Sequence, residues 1–282
     1  MYTSHFIASK NQVYFNSKVK YLSNGCCKVT CFNKPMYKAV GWESTEEKHL
    51  PFKQERVKAS SDVVRSDSLK RAKDKIFEIA LANEWNYMVT FTLDESKVDR
   101  YDSKEVKRKF CKWLENMVQR KGLKALIVPE LHKDGAIHFH GLINDSLDLI
   151  HSDTYKVAGR KKPVRASTLR KMKLTPSSEN VRDVYNITNY KLGFATAVEL
   201  DGNKEAVSFY MTKYATKEMD LHKILGKFYL AVGEIKRELP FELLDLDFRE
   251  VEKIGKVVDL PEHYGQVCYA SIPVEDLKGF II

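Results

Sequence analysis

Two short stretches of this 282-residue chain hold side chains whose types and spacing suit chemistry. In the first, Glu130, His132, His138 and His140 fall between Pro129 and Gly141. A strand alternates its side chains, so His138 and His140 share one face while Phe139 turns to the core. Two neighbouring imidazoles make sense if they share a cation, since imidazole is a borderline ligand that suits zinc, manganese, iron, cobalt and nickel. The third ligand is expected from the preceding strand, where Glu130 and His132 are both candidates. Two histidines and one carboxylate leave positions for water and a phosphate oxygen, as Lewis-acid catalysis requires. Mixed nitrogen and oxygen donors in phosphate chemistry favour Mg2+ or Mn2+, with zinc also compatible.

The register of the hairpin decides whether the set can assemble. A two-residue turn at Asp134-Gly135 pairs Leu131 with His138 and sends Glu130 to the opposite face. A three-residue loop, Asp134-Gly135-Ala136, pairs His132 with His138 and Glu130 with His140, all on one face. The metal reading therefore requires an odd-length loop or a bulge, which the glycine permits.

The second stretch is Tyr210-Met-Thr-Lys213-Tyr214-Ala-Thr-Lys217. Positions 210, 213, 214 and 217 follow helical spacing and form one stripe, with Val207, Met211, Ala215 and Met219 as a separate apolar row. A phenol, with its ordinary pKa near 10, is a weak nucleophile. A lysine beside it favours the phenolate and stabilises charge on a phosphate under attack. A tyrosine esterified to a DNA phosphate conserves the bond energy, so a broken strand can be rejoined without ATP. Two such tyrosines on one helix allow alternating transfers. Taken singly, a His-x-His strand can merely pack and a basic helix can carry ordinary surface tyrosines. Together they point to metal-assisted phosphoryl transfer to tyrosine.

The elements around these stretches follow from periodicity. A helix is expected over about Asp67–Asn83, capped at Ser66 or Asp67, with Leu69, Ala72, Ile76, Ile79 and Ala80 on one face. Tyr87–Leu93 reads as a buried strand. Asp102 with Glu105 is a capping-box signal for a helix to about Arg120 that turns Val106, Phe110, Trp113, Leu114 and Met117 inward. Strands Ala125–His132 and Ile137–Ile143 follow, then a polar stretch over about 144–185. A strand over Lys191–Glu199, a turn at Asp201-Gly202-Asn203, a helix over Lys204–Met219 and a strand over Lys227–Val232 complete the pattern. The expected class is α+β, a central antiparallel sheet of about five strands with flanking helices. Residues 1–62 read as an N-terminal extension, 63–235 as the domain that holds the chemistry, and 236–282 as an acidic C-terminal extension.

Composition narrows the setting. The formal net charge is +9, yet residues 241–282 hold nine acidic and four basic residues, so the first 240 carry +14. A basic body of that size favours a polyanionic partner. Residues 156–173 hold eight basic residues and no acidic one, among them Arg160, Lys161, Lys162, Arg165, Arg170, Lys171 and Lys173; they read as a mobile loop that contacts DNA phosphates. No apolar run reaches the roughly 18–20 residues needed to span a bilayer, and the start lacks signal-peptide character. The odd count of five cysteines suits free thiols in a reducing compartment, so the cytoplasm is expected. Cys26, Cys27 and Cys31 are better read as thiols on a short strand than as zinc ligands, because no second cluster completes four ligands. No Gly-x-x-x-x-Gly-Lys-Ser/Thr occurs, which excludes a P-loop nucleotide site and a built-in helicase of that kind.

Over about residues 65–235 these segments resemble the HUH endonuclease superfamily, and within it the replication initiator (Rep) proteins of rolling-circle replication. His138-Phe-His140 is similar to the family's His-hydrophobe-His motif, with Glu130 in the place of the third ligand. Val89–Leu93 is similar to the first family motif, and Tyr210-x-x-Lys213-Tyr214-x-x-Lys217 to the two-tyrosine pattern of small phage and plasmid initiators. The resemblance implies an RNA-recognition-motif-like sheet, Mg2+ or Mn2+ held by Glu130, His138 and His140, and catalysis by Tyr210 and Tyr214 with Lys213 and Lys217. It further implies nicking of single-stranded origin DNA through a 5′-phosphotyrosine, in a bacterial host whose helicase unwinds the duplex. Conjugative relaxases and single-strand transposases share the superfamily. Relaxases usually carry three histidines, and the small transposases are shorter with one tyrosine. A non-catalytic origin-binding protein would bind DNA without cutting it. A phosphoesterase that uses histidines alone would need a second histidine motif.

Overall fold

The computed structural model describes residues 14–22, 24–38, 66–160, 162–200, 202–214, 226–260 and 265–282. The chain divides into two compact units, one formed by Met1–Lys58 with Leu239–Ile282 and the other by Ala59–Glu238.

In the first unit, β1 (Tyr14–Phe15) pairs with β4 (Tyr37–Lys38), while β2 (Ser17–Tyr21) and β3 (Cys26–Phe32) form an antiparallel hairpin. Alternation is plain in β3, where Cys27, Val29 and Cys31 are buried between less buried neighbours. The rest of this sheet comes from the C-terminal segment and is described below in chain order.

The second unit begins with α1 (Ser66–Ala82) and β5 (Tyr87–Leu93). Helix α2 (Ser103–Lys121) starts at Asp102, whose Oδ1 accepts the Lys104 amide. It stops at Gly122, whose φ of 67° lets its N–H turn back to Val118 and Met117. Glu105 reaches past the cap and accepts from the Asp99 amide, so the sequence signal marks the right terminus with a different donor. Strands β6 (Ala125–Leu131) and β7 (Ile137–Ile143) come next, then β8 (Leu149–Val157), β9 (Val164–Arg165), α3 (Ala166–Lys171), β10 (Val181–Ile187), β11 (Gly193–Glu199), α4 (Lys204–Tyr214) and β12 (Leu230–Val232).

These strands make one antiparallel sheet of eight in the order β12-β6-β7-β5-β11-β10-β8-β9. The class is α+β with antiparallel sheets, but eight strands replace the expected five or so. The additional strands lie in the polar stretch 144–185, which folds as β8, β9, α3 and β10. Residues 156–173 are therefore not an open loop among the described positions. Val157, Leu169 and Val181 are buried together there, with Val164, Met172 and Leu174 packed around them.

Helices cover both faces of this sheet near β6, β7 and β5. On one face, α2 buries Val106, Phe110, Trp113 and Leu114 against Phe91, Phe139, Ile127 and Ile143. The Phe110 and Phe139 rings are stacked with centroids 3.8 Å apart. On the other face, Ile76, Ile79 and Ala80 of α1 and Met211 of α4 close over Leu126, Val128 and Leu142. Each face thus gains an apolar seal, and each buried Leu, Ile or Phe adds about 1.5–3 kcal/mol.

The C-terminal segment returns to the first unit as β13 (Phe241–Leu244), α5 (Phe248–Glu252), β14 (Lys256–Asp259), β15 (Gln266–Pro273) and a 3-10 turn at Leu277–Phe280. The sheet order there is β13-β2-β3-β15-β14. Its core joins Val19, Cys27, Val29 and Cys31 to Leu246, Val251, Cys268, Ile272 and Leu277. All five cysteines are free thiols; burial pushes the Cys31 thiol up to about 11, in keeping with packing rather than ligation. No helix among the described residues is long and apolar enough to cross a membrane.

Candidate metal centre and tyrosine helix

The β6–β7 hairpin closes on a three-residue loop, Lys133-Asp134-Gly135. The His132 amide donates to the Ala136 carbonyl at 2.8 Å, and the Gly135 amide to the His132 carbonyl at 2.8 Å. Gly135 takes φ 83°, a left-handed conformation that suits the last position of such a loop. The Asp134 carboxylate accepts the Ala136 amide, which fixes the turn from inside. The loop has odd length but starts one residue earlier than expected. Glu130 therefore faces His138, and Val128 faces His140. The shift of partner preserves parity, so all three candidate ligands remain on one face.

On that face the Glu130 Oε2 lies 3.0 Å from the His138 Nε2 and 2.7 Å from the His140 Nε2. One donor atom from each of the three residues falls within 4.8 Å of the others. Glu130 is buried at 8% exposure, an uncommon place for a carboxylate without a cationic partner. Burial holds the His138 imidazole below its ordinary pKa, against the hydrogen bond from Glu130, and the charge of His140 pushes in the same direction as burial. A neutral imidazole is the form that ligates. The donor set of two nitrogens and one carboxylate oxygen, converging and half-enclosed, fits a divalent cation. His132 stands outside the trio; its exposed ring faces Asp134 at 3.3 Å.

Thr90 supports the site and was not singled out by the sequence. Its Oγ1 lies 3.2 Å from the His140 Nδ1, the ring nitrogen that points away from Glu130. The available signal was the Val89-Thr-Phe-Thr-Leu93 alternation, which puts Thr90 and Thr92 on the face opposite Phe91. In register, Thr90 pairs with His140 and Thr92 with His138.

Helix α4 lies over the same face of the sheet, anchored by the fully buried Met211 among Leu126, Val128 and Leu142. Its start is tied to the N-terminal side of β5 by an ion pair between Lys204 and Glu84. It therefore runs from the Tyr87–Ile143 end of the sheet towards the end that holds His140 and His138. At about 100° per residue, Tyr210 occupies one flank of the Met211 face. Phe209 occupies the other flank and packs on Phe77 of α1 with ring centroids 4.8 Å apart. Tyr210 and Lys213 are exposed. Tyr214 is the last described residue of the helix, one turn on from Tyr210 along the chain. Lys217 and the expected continuation to Met219 lie outside the described residues.

Of the seven basic residues singled out for DNA, Arg160, Lys162, Arg165, Arg170, Lys171 and Lys173 are exposed around β9 and α3, at the far end of the sheet from β6. Lys161 lies outside the described residues.

Residues 86–219, from the start of β5 through α4, match a family model of replication-associated proteins, described by the name ORF2. The match contains Glu130, His138, His140, Tyr210 and Tyr214. No curated protein and no solved structure matches the chain.

Proposed function

We propose that the chain is a metal-dependent, site-specific single-stranded DNA endonuclease and strand transferase that nicks a replication origin and starts rolling-circle replication. The observation that carries this reading is the Glu130 carboxylate oxygen shared by His138 and His140 beneath a helix that bears two tyrosines. The match of residues 86–219 to a replication-associated family supports the same direction.

Glu130, His138 and His140 would hold Mg2+ or Mn2+, which supplies Lewis-acid polarisation of the scissile phosphate. A phenol oxygen from Tyr210 or Tyr214 attacks the phosphorus, the bond to the 3′-oxygen breaks, and that oxygen leaves as a free 3′-hydroxyl. The tyrosine keeps the 5′-phosphate as an ester. Attack by a 3′-hydroxyl on that ester reverses the step and rejoins the strand, and the second tyrosine permits the next transfer while the first is occupied. Lys213 and Lys217 offset the charge that develops on the phosphate and favour loss of the phenolic proton. The exposed cations of β9 and α3 hold DNA through its phosphates without reading sequence. Unwinding falls to a helicase of the bacterial host, and the setting is the bacterial cytoplasm.

The test is incubation of the chain with pooled single-stranded DNA in Mn2+ or in chelator, followed by denaturing electrophoresis. A slow-migrating protein–DNA adduct is expected in Mn2+ only. It should disappear in the double variant Tyr210→Phe/Tyr214→Phe and in His138→Ala or Glu130→Gln. DNA retention without adduct in every metal would mean a binding protein instead.

A further inference from the structure

Among the described residues, the sheet face that holds the candidate metal centre continues beyond it without a helical cover and carries two large apolar side chains in the open. Register traces the face from strand to strand. Glu130 pairs with His138, His138 with Thr92, and Thr92 with Phe194. One step along, Thr90 pairs with Thr196, Thr196 with Asn186, and Asn186 with Ile150. Directly paired residues point to the same side, and Ala195 and Ala197 between them are buried with α2 on the other face. Phe194 is 60% exposed and Ile150 62% exposed, and neither joins an apolar cluster of the described residues. At about 4.8 Å per strand, Phe194 stands about 10 Å from His138 across the sheet.

An unpacked phenylalanine on an open sheet face is costly to leave in water, and its placement here is directional. From the metal centre on β6 and β7 the row crosses β5, reaches Phe194 on β11 and Ile150 on β8, and ends at the exposed cations of β9 and α3. A single strand laid along it meets a metal site at one end, apolar side chains in the middle and a cationic rim at the other. Charge and apolar surface in that order match the chemistry of unpaired nucleotides, whose bases stack and whose phosphates seek cations. A protein partner would find no comparable reason for the aligned metal centre and cations.

We infer that Phe194 is a stacking platform for an unpaired base of the strand held at the metal centre, with Ile150 extending the platform towards the basic end. The inference rests on single-stranded DNA being the substrate of this face. It assigns Phe194 to binding and placement of the strand, outside the reacting atoms. Every base has a π face, so the platform adds affinity for unpaired DNA with little preference for sequence.

The experiment compares wild type, Phe194→Ala and Phe194→Trp by fluorescence anisotropy on a labelled single strand of mixed sequence, with chelator present so that cleavage plays no part. A second labelled strand of the same length carries abasic sites in place of its bases. Phe194→Ala should bind the base-bearing strand about tenfold more weakly, within the range known for loss of one stacked base. Phe194→Trp should retain wild-type affinity, and the abasic strand should bind wild type and Phe194→Ala alike. The salt dependence should be unchanged in Phe194→Ala, because no phosphate contact is lost. Equal binding of the base-bearing strand by wild type and Phe194→Ala overturns the inference, as does an equal loss on both strands. Adduct formation in Mn2+, run in parallel, separates the two readings. Base-dependent binding through Phe194 with no adduct removes the nuclease and leaves the platform, whereas an adduct with no effect of Phe194→Ala does the reverse.

Discussion

Glu130 stands opposite His138 across the β6–β7 ladder, and the Oε2 of its carboxylate is 3.0 Å from the His138 Nε2. The same oxygen is 2.7 Å from the His140 Nε2. As hydrogen bonds, both contacts have Nε2–H donating to the carboxylate. A cation bound by the three residues must take the lone pairs of those nitrogens, so the protons have to leave Nε2. At His140 the other nitrogen has a partner ready, because Thr90 Oγ1 lies 3.2 Å from Nδ1 and a hydroxyl can donate or accept. The expected outcome is a tautomer change at His140 from Nε2–H to Nδ1–H on titration with Mg2+ or Zn2+. Long-range proton–nitrogen NMR of the imidazoles reads it directly, and an unchanged Nε2–H at saturating metal would rule out ligation through that atom.

Thr90 should then matter for the metal and little for the fold. Thr90→Val keeps the β-branched shape but removes the oxygen that orients the ring. Loss of such a partner behind a ligand typically costs about 10–100-fold in metal affinity. Calorimetric titration with Mn2+ should show a loss of that order for Thr90→Val, near-complete recovery in Thr90→Ser, and thermal midpoints close to wild type. Equal affinities for wild type and Thr90→Val would leave Thr90 without a role at the centre.

Much of this site was legible in the sequence because it depends on local parity. His138 and His140 share a face in any strand, and an odd loop at Gly135 is enough to bring Glu130 to them. Which residue faces which was not legible, since starting the loop at Lys133 or at Asp134 gives the same faces and different partners. The strand count failed for a related reason. In β10 the buried residues are Val181, Val184 and Ile187, spaced by three, because the register of its pairing with β8 shifts between Val184 and Tyr185. A bulge resets alternation, so a true strand lost its period of two. Around β9 and α3, the abundance of cations masked the few apolar positions, Val157, Leu169 and Val181, that hold the segment in place. Pairing of β2 with β13 and of β3 with β15 joins residues more than 200 positions apart, and no local pattern reports that.

The electrostatics of His138 predict a pH dependence of stability. In the unfolded chain its imidazole titrates near 6.5, whereas burial lowers its pKa in the folded protein. As pH falls below about 6.5 the unfolded chain takes up a proton that the folded chain resists, so folding stability drops. The contribution of the neutral imidazole is present above the unfolded value and lost between it and the lower folded value. The slope from one proton cannot exceed about 1.4 kcal/mol per pH unit. Urea midpoints of the metal-free protein should fall across this window, and the fall should be smaller in His138→Asn. The same slope in both proteins would assign the acid sensitivity to other groups.

Gly141 connects the packing of the hairpin to the geometry of its ligands. It follows His140 on β7 and pairs with Ile127 on β6, with no room for a side chain. An ideal Cβ there would clash with the Ile127 Cδ1 and lie 2.9 Å from the Leu126 carbonyl oxygen. The Ile127 side chain can rotate at some cost, but the carbonyl is backbone and moves only if β6 moves. Overpacking of this kind typically costs about 1–3 kcal/mol. Because β6 also carries Glu130, the strain relieved by displacing β6 is transmitted to the contacts with His138 and His140. Gly141→Ala should therefore lower the denaturation midpoint and weaken Mn2+ binding together. A stability loss with unchanged Mn2+ affinity would mean that the strain is absorbed by Ile127 and that β6 holds its place beside His140.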